Sequence, residues 1–408
     1  MKKSNVPHIQ HRIKPNIAWR GSWIALILTV LVLPVIAQKH NPNFLKRYIN
    51  HIVNDTTDIS KPQFLIYPTV AYAPETSWEF GLSSVFVFYA NRDTTNRLSE
   101  VSAFTFLTLE QQYGFWVDHA LYSQDNKWFS LGRLRFQSFP ILYHGIGSDT
   151  PEEHVAQVNA NLLQIRERVL RKVHGSIFAG LEVDYQRLSS VEFIPRENEV
   201  IEYPLGSEGS SNLGFGAGLL FDNRHNILNV RRGFFSELAF LNYHHAWGSD
   251  HSFTSVISDT RLYRPVNKRD VLAMQLLGQF NVGGAPFNQL AMLGGESIMR
   301  GYYLGRYRDN NQLAFQTEYR FLPLPLGFTK RWGAAVFAGA GSVFNKLDEL
   351  KGRNIVWSGG AGVRFLLTFP QERHLYPTGP GLYPRRYRHL HLYRRGILTA
   401  RYTLPRNH

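Results

Sequence analysis

An alternation of apolar and polar residues with a period of two, sustained from about residue 63 to residue 367, most restricts what this chain can fold into. In KRDVLAMQLLGQF, Leu272, Met274, Leu276 and Phe280 fall on one face of an extended segment, with Gln275 and Gln279 on the other. In NQLAFQTEYRF, Phe315, Thr317, Tyr319 and Phe321 oppose Gln316, Glu318 and Arg320; in SLGRLRFQSF, Leu134 and Phe136 oppose Arg133, Arg135 and Gln137. Successive side chains of a strand point to opposite sides, so the pattern predicts a sheet with one apolar and one polar face. Strand segments centre on 64–72, 78–89, 99–109, 112–122, 127–138, 158–171, 174–187, 213–222, 233–244, 252–264, 270–280, 311–322, 331–340 and 356–367, fourteen in all. Among them, RERVLRKV at 166–173 also fits a helix.

A large soluble all-β protein would alternate too, with its apolar face as one wall of a packed core. Here the segments commonly reach about 10 residues and many end in Tyr, Trp or Phe, which fits an antiparallel barrel that crosses a bilayer with its apolar face outward. Lipid cannot satisfy an open sheet edge, so such a sheet must close. YHGIGSDTPEEH at 143–154 and EFIPRENEVIEYPLGSEGSSN at 192–212 are rich in turn residues and charge, as the longer surface loops of a barrel are.

The N-terminus adds an address. Lys2, Lys3, Arg12, Lys14 and Arg20 precede the apolar run WIALILTVLVL, and PVIA ends in small or modest residues before Gln38. That order predicts a cleaved export signal over 1–37; the run is short for a spanning helix and Pro34 interrupts it. Residues 38–62 then form a short lead or plug, and 63–373 the barrel. The formal charge of +14 does not indicate a nucleic-acid partner: five of the excess positive charges lie in residues 1–37 and seven in 374–408, neither of which holds an acid, leaving +2 for the middle. With no cysteine the chain has no disulfide scaffold and no thiolate metal or redox site.

Three stretches resemble one family. LGGESIMRGYY (293–303) resembles the sixth-loop signature of the outer-membrane assembly and translocation superfamily typified by BamA and TamA, also called the bacterial surface antigen family; its heart is Arg300-Gly301-Tyr302. FDNRHNILNVRRGFFSELAF (221–240) resembles the family's strand, turn and strand, with Asp222, Arg224 and the restart at Gly233. AAVFAGAGSVF (334–344) resembles its thirteenth strand, through Phe337, Gly339 and Gly341. The resemblance implies a barrel of sixteen strands with eleven before the sixth loop, and a sixth loop folded into the lumen with its arginine held by an acid on the wall. Glu318, on the polar face with Gln316 and Arg320, is the partner expected for Arg300. Where the family has Phe-x-Asp-x-Gly, this chain has Phe337-Ala338-Gly339-Ala340-Gly341. Arg300 is therefore expected to rest on Glu318 and backbone carbonyls alone. Asp222 and Arg224 read mainly as turn and register residues. The family's periplasmic POTRA repeats are not found in the sequence.

The tail, 374–408, departs from the family. Four prolines, seven arginines and no acid make a poor barrel strand. Back-translated with permitted codons and read one nucleotide later, His374–Leu398 can encode IYIRLDLGFTRDDTGIYIYIGEAF followed by a stop. That is two alternating strands ending in Phe, and it points to a frameshift of the fifteenth and sixteenth strands.

The expected function is non-enzymatic: a barrel in the outer membrane of a Gram-negative-type cell that aids insertion or translocation of protein or lipid through its sixth loop and strand seam. The partners implied are outer-membrane lipid, nascent outer-membrane proteins or a separate periplasmic chain. The alternative is a passive pore or structural barrel. His144, His154, His225 and His244-His245 occur among many serines, but no Gly-x-Ser-x-Gly and no metal-ligand spacing organises them, so no catalytic site, cofactor or metal is expected.

Overall fold

The computed structural model describes residues 60–73, 77–197, 199–225, 230–267, 269–295, 297–321, 324, 332–367 and 390–391. The predicted signal, nearly all of the lead and nearly all of the tail lie outside the described residues.

Fourteen long strands follow one another along the chain and pair antiparallel with their sequence neighbours. They are β1 (Gln63–Ala73), β2 (Ser77–Tyr89), β3 (Leu98–Thr108), β4 (Tyr113–Tyr122), β5 (Trp128–Ser138), β7 (Ala156–His174), β8 (Ile177–Pro195), β9 (Ser210–Asp222), β10 (Gly233–Tyr243), β11 (Phe253–Pro265), β12 (Val271–Gly283), β15 (Asn311–Phe321), β16 (Trp332–Phe344) and β17 (Val356–Leu367). The short β6 (Ile141–Tyr143) extends β5's side of β7, β13 (Ala291–Leu293) pairs with β14 (Tyr307–Asp309), and β18 (Leu390–His391) pairs with Leu366 and Leu367 of β17. Every predicted segment is a strand, eleven of them before the loop that carries Arg300. The largest differences in strand length lie at β7 and β8. β7 and β8 each run 19 residues, so β8 continues to Pro195 and the connection expected over 192–212 shrinks to 196–209. RERVLRKV is strand: it alternates Arg166 and Arg168 inward with Glu167 and Val169 outward, and Arg166 lies opposite Asp184 in the register.

Register fixes the faces, because residues directly opposite in an antiparallel pair share a side. The outward row includes Phe115, Phe136, Ile165, Leu181, Leu219, Phe240, Leu276, Phe315 and Val336, all exposed. The inward row carries the buried charges Arg168, Glu182, Asp184, Asp259 and Glu318. Large apolar residues facing out and charges facing in is the reverse of a soluble core, and it fits a wall between lipid and a polar lumen. The inner face is concave: Arg97, just before β3, reaches Asp222 of β9, five strands along the sheet, at 2.7 Å. Near that rim Tyr122, Phe129, Leu170, Phe178, Leu220 and Phe235 pack together as an inward apolar cluster.

Candidate functional site: loop six on the inner wall

The connection between β12 and β15 is the longest among the described strands, and a ribbon organises it. Ala291, Met292 and Leu293 of β13 pair with Asp309, Arg308 and Tyr307 of β14, which presents 294–306 as a bounded loop. Glycines make its bends. Gly294 has φ +112°, and a Cβ there would lie 2.2 Å from the Tyr303 carbonyl oxygen. Gly301 has φ +111° with open space around it, so conformation rather than crowding requires the glycine.

The loop is seated by its apolar residues and pinned by its arginine. Leu293, Ile298 and Met299 pack with Ala314 of β15 and Val343 of β16, and Met299 is fully buried. Next to it, the Arg300 Nη2 donates to Glu318 Oε2 at 2.6 Å, and its guanidinium lies 3.6 Å from the centre of the Phe337 ring. Glu318 Oε1 also accepts from Arg320 Nε at 2.7 Å and from Arg364 of β17. One buried carboxylate thus contacts three arginines, and charge-assisted bonds of this kind are the strong ones. Tyr302 donates to the Trp357 carbonyl at 3.0 Å, and Gln316 of the wall donates to the Ser297 carbonyl at 2.6 Å.

A second set of contacts ties loop six to the connection between β6 and β7. The Tyr303 hydroxyl lies 2.6 Å from the Leu142 carbonyl and 2.7 Å from His144 Nδ1. Arg306 donates to Thr150 Oγ1 and the Pro151 carbonyl, both at 2.8 Å. The Gly147 N–H donates to the Arg308 carbonyl at 2.8 Å. Burial, and after it the nearby Arg306 charge, pushes His144 down to about 4. Its ring is therefore neutral at physiological pH.

A family model, the Omp85 superfamily domain, matches residues 165–376, just over half of the chain and including loop six and its seat. The chain belongs to the Omp85 superfamily. Members of this superfamily are outer-membrane β-barrels. Solved structures resembling the chain include BamA from Haemophilus ducreyi lacking POTRA domains 1–3, at 13% identity over 75% of this chain with a TM-score of 0.49. CdiB from Escherichia coli (13% identity, 74% of this chain, TM-score 0.48) and CdiB from Acinetobacter baumannii (12%, 74%, 0.45) are also similar. The Omp85 chain spans 64%, 56% and 53% of those three structures. No curated protein matches it.

In this Omp85 chain the sequence candidates separate into two places. Arg300, Gly301, Tyr302, Glu318, Phe337 and Gly339 converge at the seat of loop six. Gly339 is a tight position: a Cβ there would lie 3.1 Å from Ser358 Oγ and 3.2 Å from Met299 Sδ, so both side chains would have to shift to admit the family's acid. The thioether of the loop occupies the space beside it, and the Phe337 face gives Arg300 a further support. Gly341 lies farther along β16, where a Cβ would press on Ala314 and Leu293. Asp222, Arg224 and Gly233 sit at the opposite rim. Asp222 is buried and accepts from the Arg224 backbone N–H at 3.0 Å, from its Nε at 2.9 Å and from its Nη2 at 2.8 Å, besides Arg97. Gly233, with φ +123°, brings its backbone against Arg224, where a Cβ would stand 2.6 Å from Cα. Sequence reasoning missed Arg364 and Met299. Arg364 shows the right signal, an arginine at an inward position between Val363 and Phe365, but nothing in the sequence pairs β17 with Glu318. Nothing in the sequence marks Met299 as the residue that packs against the wall.

Proposed function

We propose that this chain is a non-enzymatic outer-membrane barrel that aids insertion or translocation of protein or lipid, with loop six as the working element held against the inner wall. The observation that supports this reading best is the Arg300–Glu318 pair at 2.6 Å, which ties a long connection to the inward face of the sheet. Buried ion pairs are costly to build and are retained where they fix one arrangement among several. A wall carboxylate shared between a loop arginine and two wall arginines ties the position of the loop to the charge pairing of the wall. The partners that suit this role are outer-membrane lipid and nascent outer-membrane proteins, delivered directly or through a separate periplasmic chain. An export signal over residues 1–37 would bring the chain to the same compartment.

Depletion of the chain in its own host tests the reading. Accumulation of unfolded outer-membrane proteins, or of lipid on the wrong side of the membrane, with rescue by wild type and not by Arg300→Ala, is the result expected. A barrel whose loss changes neither, and whose steady conductance in planar bilayers is indifferent to Arg300→Ala, is the passive pore instead.

A further inference from the structure

At the rim that carries loop six, a cavity of about 210 Å³ lies between three connections. Its lining is mixed: Ile146 from the β6–β7 connection, Leu205 from the β8–β9 connection, and Phe287 and Leu290 from the segment after β12 supply apolar side chains, and Asp309 and Asn310 supply polar ones. Gly284 keeps it open, since a Cβ there would meet Leu205 at 3.3 Å. Asp309 of β14 lines it and is only 6% exposed.

Asp309 differs from the other buried acids. Glu182, Asp184, Asp222, Asp259 and Glu318 each meet at least one arginine at salt-bridge distance. Asp309 meets none among the described residues. Its Oδ1 accepts the backbone N–H of Asn310 at 2.7 Å, and no donor among the described residues reaches Oδ2. Burial raises its pKa, and the charge of Glu349 raises it further. Arg308, its neighbour in the chain, turns away: the guanidinium donates to the Gly305 carbonyl at 3.1 Å and lies over the Tyr143 and Phe287 rings. A cavity with apolar side chains on one part of its wall and a carboxylate that meets no arginine on another suits a cation carried on an apolar stem.

We infer that this cavity is a binding site for the side chain of a lysine presented by a protein or peptide that meets the loop-six rim. The volume is below the roughly 300–1,000 Å³ of drug-sized sites, so it suits one side chain. A compact ammonium suits the one free carboxylate oxygen; an arginine fork needs two in parallel. The methylene stem would lie against Ile146, Leu205 and Leu290. The site stands whether or not the barrel handles clients.

The test uses the full chain in nanodiscs with N-acetyl-lysine methylamide as probe. Carbodiimide coupling should give a saturable amide between the probe amine and Asp309, found by peptide mass spectrometry and suppressed by excess unlabelled probe. In equilibrium binding without the coupling reagent, Asp309→Asn, which keeps the acceptor for Asn310, should weaken the probe about tenfold or more. Leu205→Asn, at a half-exposed position, should weaken it severalfold with Asp309 intact. N-acetyl-norleucine methylamide should not compete, and the arginine analogue should compete poorly. Coupling no more saturable at Asp309 than at the exposed Glu110 and Glu208 would overturn the site, and equal competition by the arginine analogue would overturn the assignment to lysine.

Discussion

On β7 to β10, Arg166 and Arg168 meet Glu182, Asp184 and Glu237, all of them residues of the wall. On β15 to β17 a single carboxylate, Glu318, meets Arg300, Arg320 and Arg364, and the first of these belongs to a loop. The first region has more acids than bases and links β7 both to its neighbour β8 and to β10, three strands along the sheet; the Tyr243 hydroxyl adds a bond to Asp184 at 2.6 Å. The second has three bases on one acid, and its stability depends on a segment that is not part of the sheet. Charge that braces a wall can be lost piecemeal. Charge that seats a loop rests on one atom group, so the two regions should respond differently to single substitutions.

Glu318→Ala gives the largest effect. It removes the carboxylate that three guanidiniums share, and removing one partner of a buried pair costs about 3–5 kcal/mol. Thermal or denaturant loss of the compact electrophoretic form should report that drop. Asp184→Asn is the matched change in the first region, where Glu182 and Glu237 remain for the arginines, and it should cost distinctly less. Equal losses would abolish the contrast. Arg300→Ala comes next. Glu318 keeps Arg320 and Arg364, so the wall holds, and the loss is that of a charge-assisted bond, about 1.5–3 kcal/mol. The loop should loosen more than the barrel. Faster trypsin cleavage after Arg306, with strand stability nearly retained, is the expected pattern.

The same two regions show how far a sequence can be read. The period of two gave every long strand, because a wall between lipid and water leaves each position only one acceptable polarity. It also put Glu318 on the inner face, 18 positions from Arg300, in a pair that the structure closes to 2.6 Å. The first region's pairs were not legible, since Arg168 and Glu237 are 69 positions apart and meet only once register and curvature are set. Nor was the packing of Met299 against Gly339, which depends on the path of a loop that has no period. The ends of β7 and β8 were misjudged because charge and turn residues mark surface exposure, and a strand that continues beyond the membrane band is exposed without ceasing to be a strand.

Tyr243→Phe sharpens the comparison at smaller scale. Asp184 retains Arg166 and the Gln186 amide at 2.8 Å, so only one bond is lost, about 1 kcal/mol. Chemical denaturation should show that decrease, and trypsin cleavage after Arg306 should be unchanged. A change in loop six from this substitution would mean that the two regions are coupled through the lumen.

The smallest effect concerns the second attachment of loop six, outside the strands. His144 titrates at about 4 in the folded chain and near 6.5 when the loops are apart, the difference set by burial first and by Arg306 second, with His154 and Arg308 adding positive charge nearby. The fold therefore favours the neutral ring. As pH falls from 6.5 toward 4 the separated loops take up the proton first, so the contact weakens through that window and loses nothing further below it. The chain has no cysteine, so paired spin labels at Ile146→Cys and Leu304→Cys, both exposed, read the separation directly. Their distance distribution should broaden between pH 6.5 and 4, and His144→Gln, which cannot take the proton, should remove the dependence. The Arg300–Glu318 seat lies on β15, apart from this contact. A loop that left the wall as well as its neighbour over the same pH range would show that the two attachments act as one.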